Sequence, residues 1–167
     1  EAEVSPPGAN GLLMLPYFSG ERTPIHDTKA KGSFFGLNLT HTRGDMYRAL
    51  IEGIAFGTNH VVETYASAGQ RPLRLLAVGG GTKNALWLQA TSDISGIDQI
   101  VCEKTTGASY GNAFLAAQAI GLVEPGDIHL WNPMAAQISA QDVPAYARQY
   151  PLFRRLYEQT KDIAAEL

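Results

Sequence analysis

Three consecutive glycines, Gly79-Gly80-Gly81, separate an apolar run, Leu73 to Val78, from a helical pattern that begins near Ala85. No other feature of the sequence restricts the fold so sharply. The run reads as a short buried strand. Thr82 or Asn84 is the candidate N-cap of the following helix, and Gly96 closes that helix after Ser95. A second strand, Asp98 to Cys102, comes next. A small-residue helix, Tyr110 to Ile120, follows it and ends at Gly121. This strand–helix–strand–helix order predicts an α/β domain with parallel pairing.

Upstream, Gly11 to Phe18 reads as a strand-like apolar entry, and Gly32 to Leu37 as a second extended piece. Ser19 to Lys31 is a polar, turn-rich loop between them. The longest element runs from about Arg43 to Ala68. Met46, Ala49, Leu50, Gly53, Ile54, Gly57, Val61 and Tyr65 recur there at spacings of three and four and share one helical face. Thr42 and Asp45 form a candidate capping box, and Gly69 is the stop. Gly53 and Gly57 each weaken a helix by about 1 kcal/mol relative to Ala, which predicts close approach of another backbone. Glu124 to Val143 reads as irregular. A last amphipathic helix is expected from Pro151 to Ala165, with Phe153, Leu156, Tyr157, Thr160, Ile163 and Ala164 on one side.

The chain has 167 residues, which suits one domain over 1–167. A chain of this size buries roughly 70% of its unfolded surface and needs no covalent staples. Its net charge of -3 argues against nucleic-acid or anionic-membrane partners. No apolar run approaches the length that spans a bilayer. Cys102 is the single cysteine, so neither a disulfide framework nor a cysteine zinc site is expected, and a reducing, cytoplasmic setting is the default. Glu1 to Asn10 reads as a connector, and the chain as an excerpt of a longer protein.

The glycine turn carries the most chemistry. Backbone N–H groups without side chains admit a ligand closely, and a helix start adds free donors and partial positive charge. A phosphate, a ribose or a purine edge would suit such a turn. The spacing is neither the Rossmann fingerprint nor a P-loop, and a tight strand-to-helix turn without a ligand reads equally well. Gly107 to Ala113 is a second small-residue helix start, for which simple packing is the favoured reading. His26, His41, His60 and His129 show no metal-ligand spacing. Glu21, Arg22 and Asp27 crowd one polar loop. Trp87 and Trp131 read as packing residues, and Cys102 as an inert residue on a buried strand.

Gly32-Ser33-Phe34-Phe35-Gly36-Leu37, a gap of seven residues, and Asp45-Met46-Tyr47-Arg48-Ala49-Leu50-Ile51-Glu52 resemble, in residue type and spacing, the second sequence motif of the FGGY family of carbohydrate kinases. Leu15 to Pro24 (LPYFSGERTP) is similar to the approach to that motif in the xylulokinase and gluconokinase branches. Gly79-Gly80-Gly81 with Asn84, Trp87, Gln89 and Asp93 is similar to the family's adenosine-binding turn and helix. Gly107 to Ala117 is similar to the helix behind the nucleotide, although Ser109-Tyr110-Gly111-Asn112-Ala113 stands where many members carry Ala-Leu-Gly-Ala-Ala. The resemblance covers nearly the whole chain.

The resemblance implies an RNase H-like, actin/hexokinase-type ATPase fold, of which this chain is the C-terminal lobe in part. It implies ATP with Mg2+, and transfer of the γ-phosphate to a sugar hydroxyl in a cleft between two lobes. The catalytic aspartate, most of the sugar pocket and a Gly-Thr-Ser phosphate turn would lie outside this chain. The chain would supply the adenosine side. Gly79 would set the turn, Gly80 and Gly81 would admit the ligand by backbone approach, and Asn84 would face the purine or ribose. Gln89 and Asp93 would support the helix. The partner implied is a small-molecule sugar, with a homodimer among the assemblies open to such a protein. A nucleotide sensor of the same fold without sugar chemistry is the alternative reading.

Overall fold

A computed structural model describes residues 1–167. Its longest element, α1 (Arg43–Ser67), begins at a complete capping box. The Thr42 hydroxyl accepts from the Asp45 backbone N–H at 3.2 Å, and the Asp45 carboxylate accepts from the Thr42 N–H at 2.7 Å. The helix ends as its glycine predicted. Gly69 takes φ +78°, its N–H donates to Ala66, and the Gln70 N–H donates to Tyr65. This 6→1 and 5→2 pair is the Schellman arrangement, which satisfies the last free carbonyls.

Two strands lie against α1. β1 (Leu13–Leu15) pairs antiparallel with β2 (Ser33–Phe35), Met14 facing Phe34 in register. β1 is wholly buried. It passes so close to α1 that a Cβ placed on Gly53 would stand 2.3 Å from the Met14 carbonyl oxygen. The expected close backbone approach is therefore found at Gly53. It is absent at Gly57, where the nearest atom to an added Cβ is the Pro16 ring at 3.9 Å.

The second sheet has the order β3–β4–β5, from β3 (Leu75–Ala77), β4 (Gln99–Cys102) and β5 (Met134–Ile138). β3 and β4 are parallel, as the strand–helix–strand pattern required, and α2 (Ala85–Ser95) is their crossover. α3 (Ala108–Ala119) starts after Gly107 at φ +74°. Residues 124–143, expected to be irregular, contain the short helix α4 (Ile128–Trp131) and β5, which pairs antiparallel with β4. The residues of β5 are mostly exposed, so no burial pattern marked it in the sequence, and pairing with β4 supplies its order. Trp131 packs on Tyr110 and Phe114, with ring centroids 5.9 and 5.6 Å away.

The last helix, α5 (Pro144–Ala165), starts seven residues earlier than expected. Pro144 stands at its first turn, where proline is welcome, and Pro151 lies inside it. Tyr146 and Gln149, both buried, anchor the turns before Pro151. Pro151 and Ala147 are exposed, so water can serve the carbonyl that Pro151 leaves without a donor. Phe153, Leu156 and Tyr157 are buried as expected, but Ile163 is exposed.

The main core joins β1, α1 and α5 through Leu13, Leu15, Phe56, Tyr146, Phe153 and Leu156. A smaller cluster of Ile51, Ala55 and Ala90, flanked by Leu86, Trp87 and Ile94, clamps α2 to α1. The remaining surface of the second sheet is open. β3 pairs with β4 alone, and Leu73, Leu76 and Val78 on and beside it are exposed. The buried strand expected there is thus covered on one face only. Cys102 is half-buried on the same sheet, beside an open groove that also touches Leu76, Ile100 and Met134.

A polar knot lies within the core. Glu52 is 1% exposed, and its Oε1 accepts from Arg48 Nε (2.7 Å), the Gly8 N–H (3.0 Å) and the Tyr146 hydroxyl (2.9 Å). Burial pushes its carboxyl above the usual carboxylate range, while the Arg48 guanidinium opposes that shift. Arg48 also donates to the Ser5 carbonyl at 2.6 Å. Asp45 is held well below its usual value by the Ser5 hydroxyl, then by the Thr42 backbone and hydroxyl.

Two outcomes follow for stability. Gly53→Ala should cost about 1–3 kcal/mol, because a methyl cannot share space with a backbone carbonyl. Gly57→Ala should instead add up to about 1 kcal/mol of helix propensity; chemical denaturation of the two variants would show the opposite signs. Asp45, with its pKa lowered on folding, contributes stability that is complete above its ordinary value of 3.8 and is lost as pH falls below it. Asp45→Asn should be less stable at neutral pH and lose less on acidification, read as melting temperature from pH 7 to pH 3.

Candidate functional site

The glycine turn leaves the end of β3 through Gly79 at φ +84°, ψ -167°, a region open essentially to glycine alone. The Gly79 N–H donates to the Thr105 carbonyl at 2.7 Å, which ties the turn to the segment leading into α3. Gly80–Lys83 then forms one 3-10 turn. The Thr82 hydroxyl closes it by donating to the Gly79 carbonyl at 2.7 Å. Thr82 is therefore spent on the turn, and Asn84 is the N-cap of α2: its Oδ1 accepts from the Trp87 N–H at 3.1 Å.

That bond fixes the orientation of the Asn84 amide. With Oδ1 turned to the helix, Nδ2 is the free end. It lies 3.5 Å from the Tyr47 hydroxyl, beyond the range of a well-formed hydrogen bond. Asn84 thus turns its donor to its surroundings, while its oxygen serves the helix.

Asn84 lines a cleft of about 700 Å³ between the N-terminal turns of α1 and α2. Arg43 and Tyr47 enter from α1, Lys83, Ala85 and Leu86 from the turn and α2, and Glu1 to Glu3 form a further wall. Arg43 pairs with Glu1 at the rim, and each raises the charge preference of the other. Both helix starts direct partial positive charge toward this region.

The three glycines differ from one another. A Cβ on Gly80 would meet nothing within 4 Å. On Gly81 it would meet the Trp87 ring at 3.2 Å, so Gly81 serves helix packing and borders a separate recess with Thr58, Leu75 and Gln99. Gly79 shapes the backbone. Of the four residues singled out in the sequence, Asn84 lines the cleft, Gly79 and Gly80 both leave open space where a Cβ would stand, and Gly81 packs on Trp87. Tyr47, Arg43 and Lys83 were not singled out. Tyr47 carried one signal: it lies in the Asp45 to Glu52 stretch that resembles a family motif, one turn after Arg43.

The remaining candidates have structural duties. Gln89 Nε2 donates to Asp93 Oδ1 (2.7 Å) and to the Ser139 carbonyl (3.0 Å), and Asp93 also accepts from the Gln141 N–H (2.9 Å). The pair fastens α2 to the segment after β5. Glu21 accepts from the N–H groups of Arg22 and Thr23, while Asp27 accepts from the Lys29 N–H and the Tyr157 hydroxyl. These carboxylates shape the 19–31 loop, and burial together with Asp27 pushes the Tyr157 hydroxyl up to about 12. His60 is buried with its Nδ1 unpartnered, and burial lowers its pKa.

For stability, Gly79→Ala should cost roughly 1–3 kcal/mol through backbone strain. Gly80→Ala should stay within about 0.5 kcal/mol, since its methyl would enter empty space. Parallel denaturation curves check the contrast.

Known proteins resemble this chain in sequence and in fold. The sequence pattern of the FGGY family of carbohydrate kinases, C-terminal domain, matches residues 1–120. A xylulose kinase of Bacillus subtilis (strain 168) is 37% identical over 169 residues, covering 99% of this chain and 34% of its own length. The crystal structure of a ligand-bound xylulose kinase from Lactobacillus acidophilus superposes with a TM-score of 0.86 at 29% identity, over 96% of this chain and 33% of that one. A gluconate kinase from the same organism gives a TM-score of 0.79 at 31% identity, over 98% of this chain and 33% of its own. The chain spans about a third of the length of these relatives.

Proposed function

The chain belongs to the FGGY family of carbohydrate kinases, with their actin/hexokinase-type fold, and we propose that it is the ATP-binding part of a longer kinase. That kinase transfers the γ-phosphate of ATP to a hydroxyl of a small sugar. Xylulose-like ketoses and gluconate-like aldonates are the acceptors favoured, after the activities named for the relatives. The setting is the cytoplasm, in keeping with one half-buried cysteine; no helix is long and apolar enough to cross a membrane.

The observation that carries this reading is the oriented Asn84 amide in a cleft between two helix N-termini, at the end of a turn whose backbone is open at Gly80. Open space at Gly80 lets a ligand reach the backbone of the turn. The Nδ2 donor suits a ring nitrogen or a ribose oxygen of a nucleotide. The helix starts and the Arg43 and Lys83 side chains favour an anion nearby.

The catalytic steps need more than these residues. No three His, Cys, Asp or Glu side chains gather where they could hold a metal. Magnesium would ride on the nucleotide phosphates, as it commonly does with few protein ligands, and neutralise their charge. The general base and most of the sugar pocket belong to the rest of the longer protein. The unpaired edge of β3, with Leu73, Leu76 and Val78 exposed, gives that remainder a surface to cover. Transfer of this kind depends on positioning and electrostatics, so the isolated chain should not turn over.

The test is ADP release by the full-length protein with magnesium-ATP over a panel of ketoses, polyols and aldonates. ADP that appears with one acceptor class is the expected result. Nucleotide binding without any acceptor-dependent ADP would point to a sensor instead. Gly80→Ala and Asn84→Asp should each raise the KM for ATP about tenfold or more and leave the KM for the sugar within about twofold, because a lost or blocked hydrogen bond to a buried ligand costs about 1–3 kcal/mol. Asp at position 84 keeps the helix cap and removes the donor, so the change would report binding rather than folding. Equal loss for both substrates would refute the placement.

A further inference from the structure

We infer that the chain carries a second ligand site, for an aliphatic diamine or polyamine, in a cavity of about 520 Å³ where α1, α2 and α5 meet residues 140–143. The inference stands apart from the nucleotide reading. Asn59, on the cavity wall, lies about four turns of α1, or about 24 Å, beyond Arg43, so this cavity is remote from the cleft at the helix starts.

The buried amide of Asn59 is the first observation. A buried polar group costs free energy unless it is hydrogen-bonded. Asn59 is 7% exposed, and its side chain makes no hydrogen bond within the protein; it faces the cavity. Its neighbours on α1 are satisfied. The Thr58 hydroxyl donates to the Ile54 carbonyl at 3.1 Å, and Glu63 accepts from the Tyr150 hydroxyl at 2.7 Å. The cavity is where the Asn59 amide finds partners.

The walls fix the sign of the ligand. Glu63 from α1, Asp93 from α2 and Asp142 from the segment before α5 all line the cavity, with no Lys, Arg or His among the lining residues. Arg154 reaches Glu63 at 3.2 Å, and none of the ion pairs involves Asp93 or Asp142. Asp93 spends Oδ1 on the Gln89 side chain and the Gln141 N–H, which leaves Oδ2 free. Asp142 is exposed. Two uncompensated carboxylates beside a free amide oxygen favour a cationic donor, because hydrogen bonds between ions are the strong ones.

The spread of these groups fixes the shape of the ligand. No three acidic side chains gather where they could hold one metal ion. A compact inorganic cation therefore meets too few of them. Ile94, Val143 and Tyr150 add apolar and aromatic surface to the same cavity, which suits methylene groups and the approach of an ammonium to a ring face. A short apolar stem with an ammonium at each end matches all of these features. Each ammonium has three donors and no acceptor, as the carboxylates and the Asn59 oxygen require.

The test titrates the full-length protein with putrescine by calorimetry at constant ionic strength, with the uncharged diol of the same length as control. The expected result is saturable binding, at least about tenfold tighter than the diol, the scale of one hydrogen bond to a charged group. Asn59→Leu, which keeps the volume and removes the amide, should weaken putrescine about tenfold. Asp142→Lys, which sets a cation against the ligand, should weaken it about tenfold as well. Position 142 is exposed, so that variant should fold and decides the matter if Asn59→Leu does not. No saturable putrescine binding up to about 10 mM, equal binding of the diol, or an affinity unchanged in a folded variant would overturn the inference. Displacement of putrescine by an equal concentration of magnesium chloride would overturn it in favour of a metal site.

Discussion

The passage of β1 across α1 at Gly53 sets the geometry of the molecule. A backbone carbonyl lies where any side chain at position 53 would begin. The strand can therefore sink between α1 and α5 and bury all three of its residues. The adjacent turn of α1 then holds Glu52 against Gly8 and Tyr146, and Arg48 against Ser5. Removing one partner of such a buried charged set leaves the other uncompensated, which is far costlier than never building it. The knot ties the first residues, α1 and α5 to one register, and the aromatic cluster of Phe56, Tyr146 and Phe153 packs around it.

From that frame the candidate site inherits its shape. α1 is held by β1 and α5 on one side and clamps α2 on another through Ile51, Ala55 and Ala90. The two helices start near each other, so their N-terminal donors border one cleft. Each start is capped by its own side chain, Thr42 for α1 and Asn84 for α2. The cap on α2 has a second consequence. By occupying Oδ1, it decides that the Asn84 amide meets the cleft as a donor. A group that stabilises a helix is at once the group that selects what lies beside it.

Much of the architecture was legible in the sequence because its signals are local. The capping box at Thr42 and Asp45, the stop at Gly69, and the order of β3, α2, β4 and α3 depend on residues within one or two turns of each other. The misses have the opposite character. Pro151 reads as a helix start, yet α5 runs through it because Tyr146 and Gln149 are buried upstream. β5 is exposed and has no alternation to mark it, so it exists by virtue of its pairing with β4. Gly57 looks like Gly53 in sequence, but no backbone crosses it. Leu73 to Val78 reads as a buried strand, whereas one face and one edge of β3 stand open.

The sequence by itself determined where helices begin and end, which turn must be glycine, and to which family the chain is akin. Those features follow from backbone conformations and caps that a few neighbouring residues settle. Tertiary structure alone decided that the space above Gly81 is filled by Trp87 while that above Gly79 and Gly80 stays open, and which end of the Asn84 amide is free. It alone brought Tyr47 to the cleft. The reason is physical: a glycine's φ is a local property, but open space above it, or an aromatic ring beside it, depends on how one helix packs against another far along the chain.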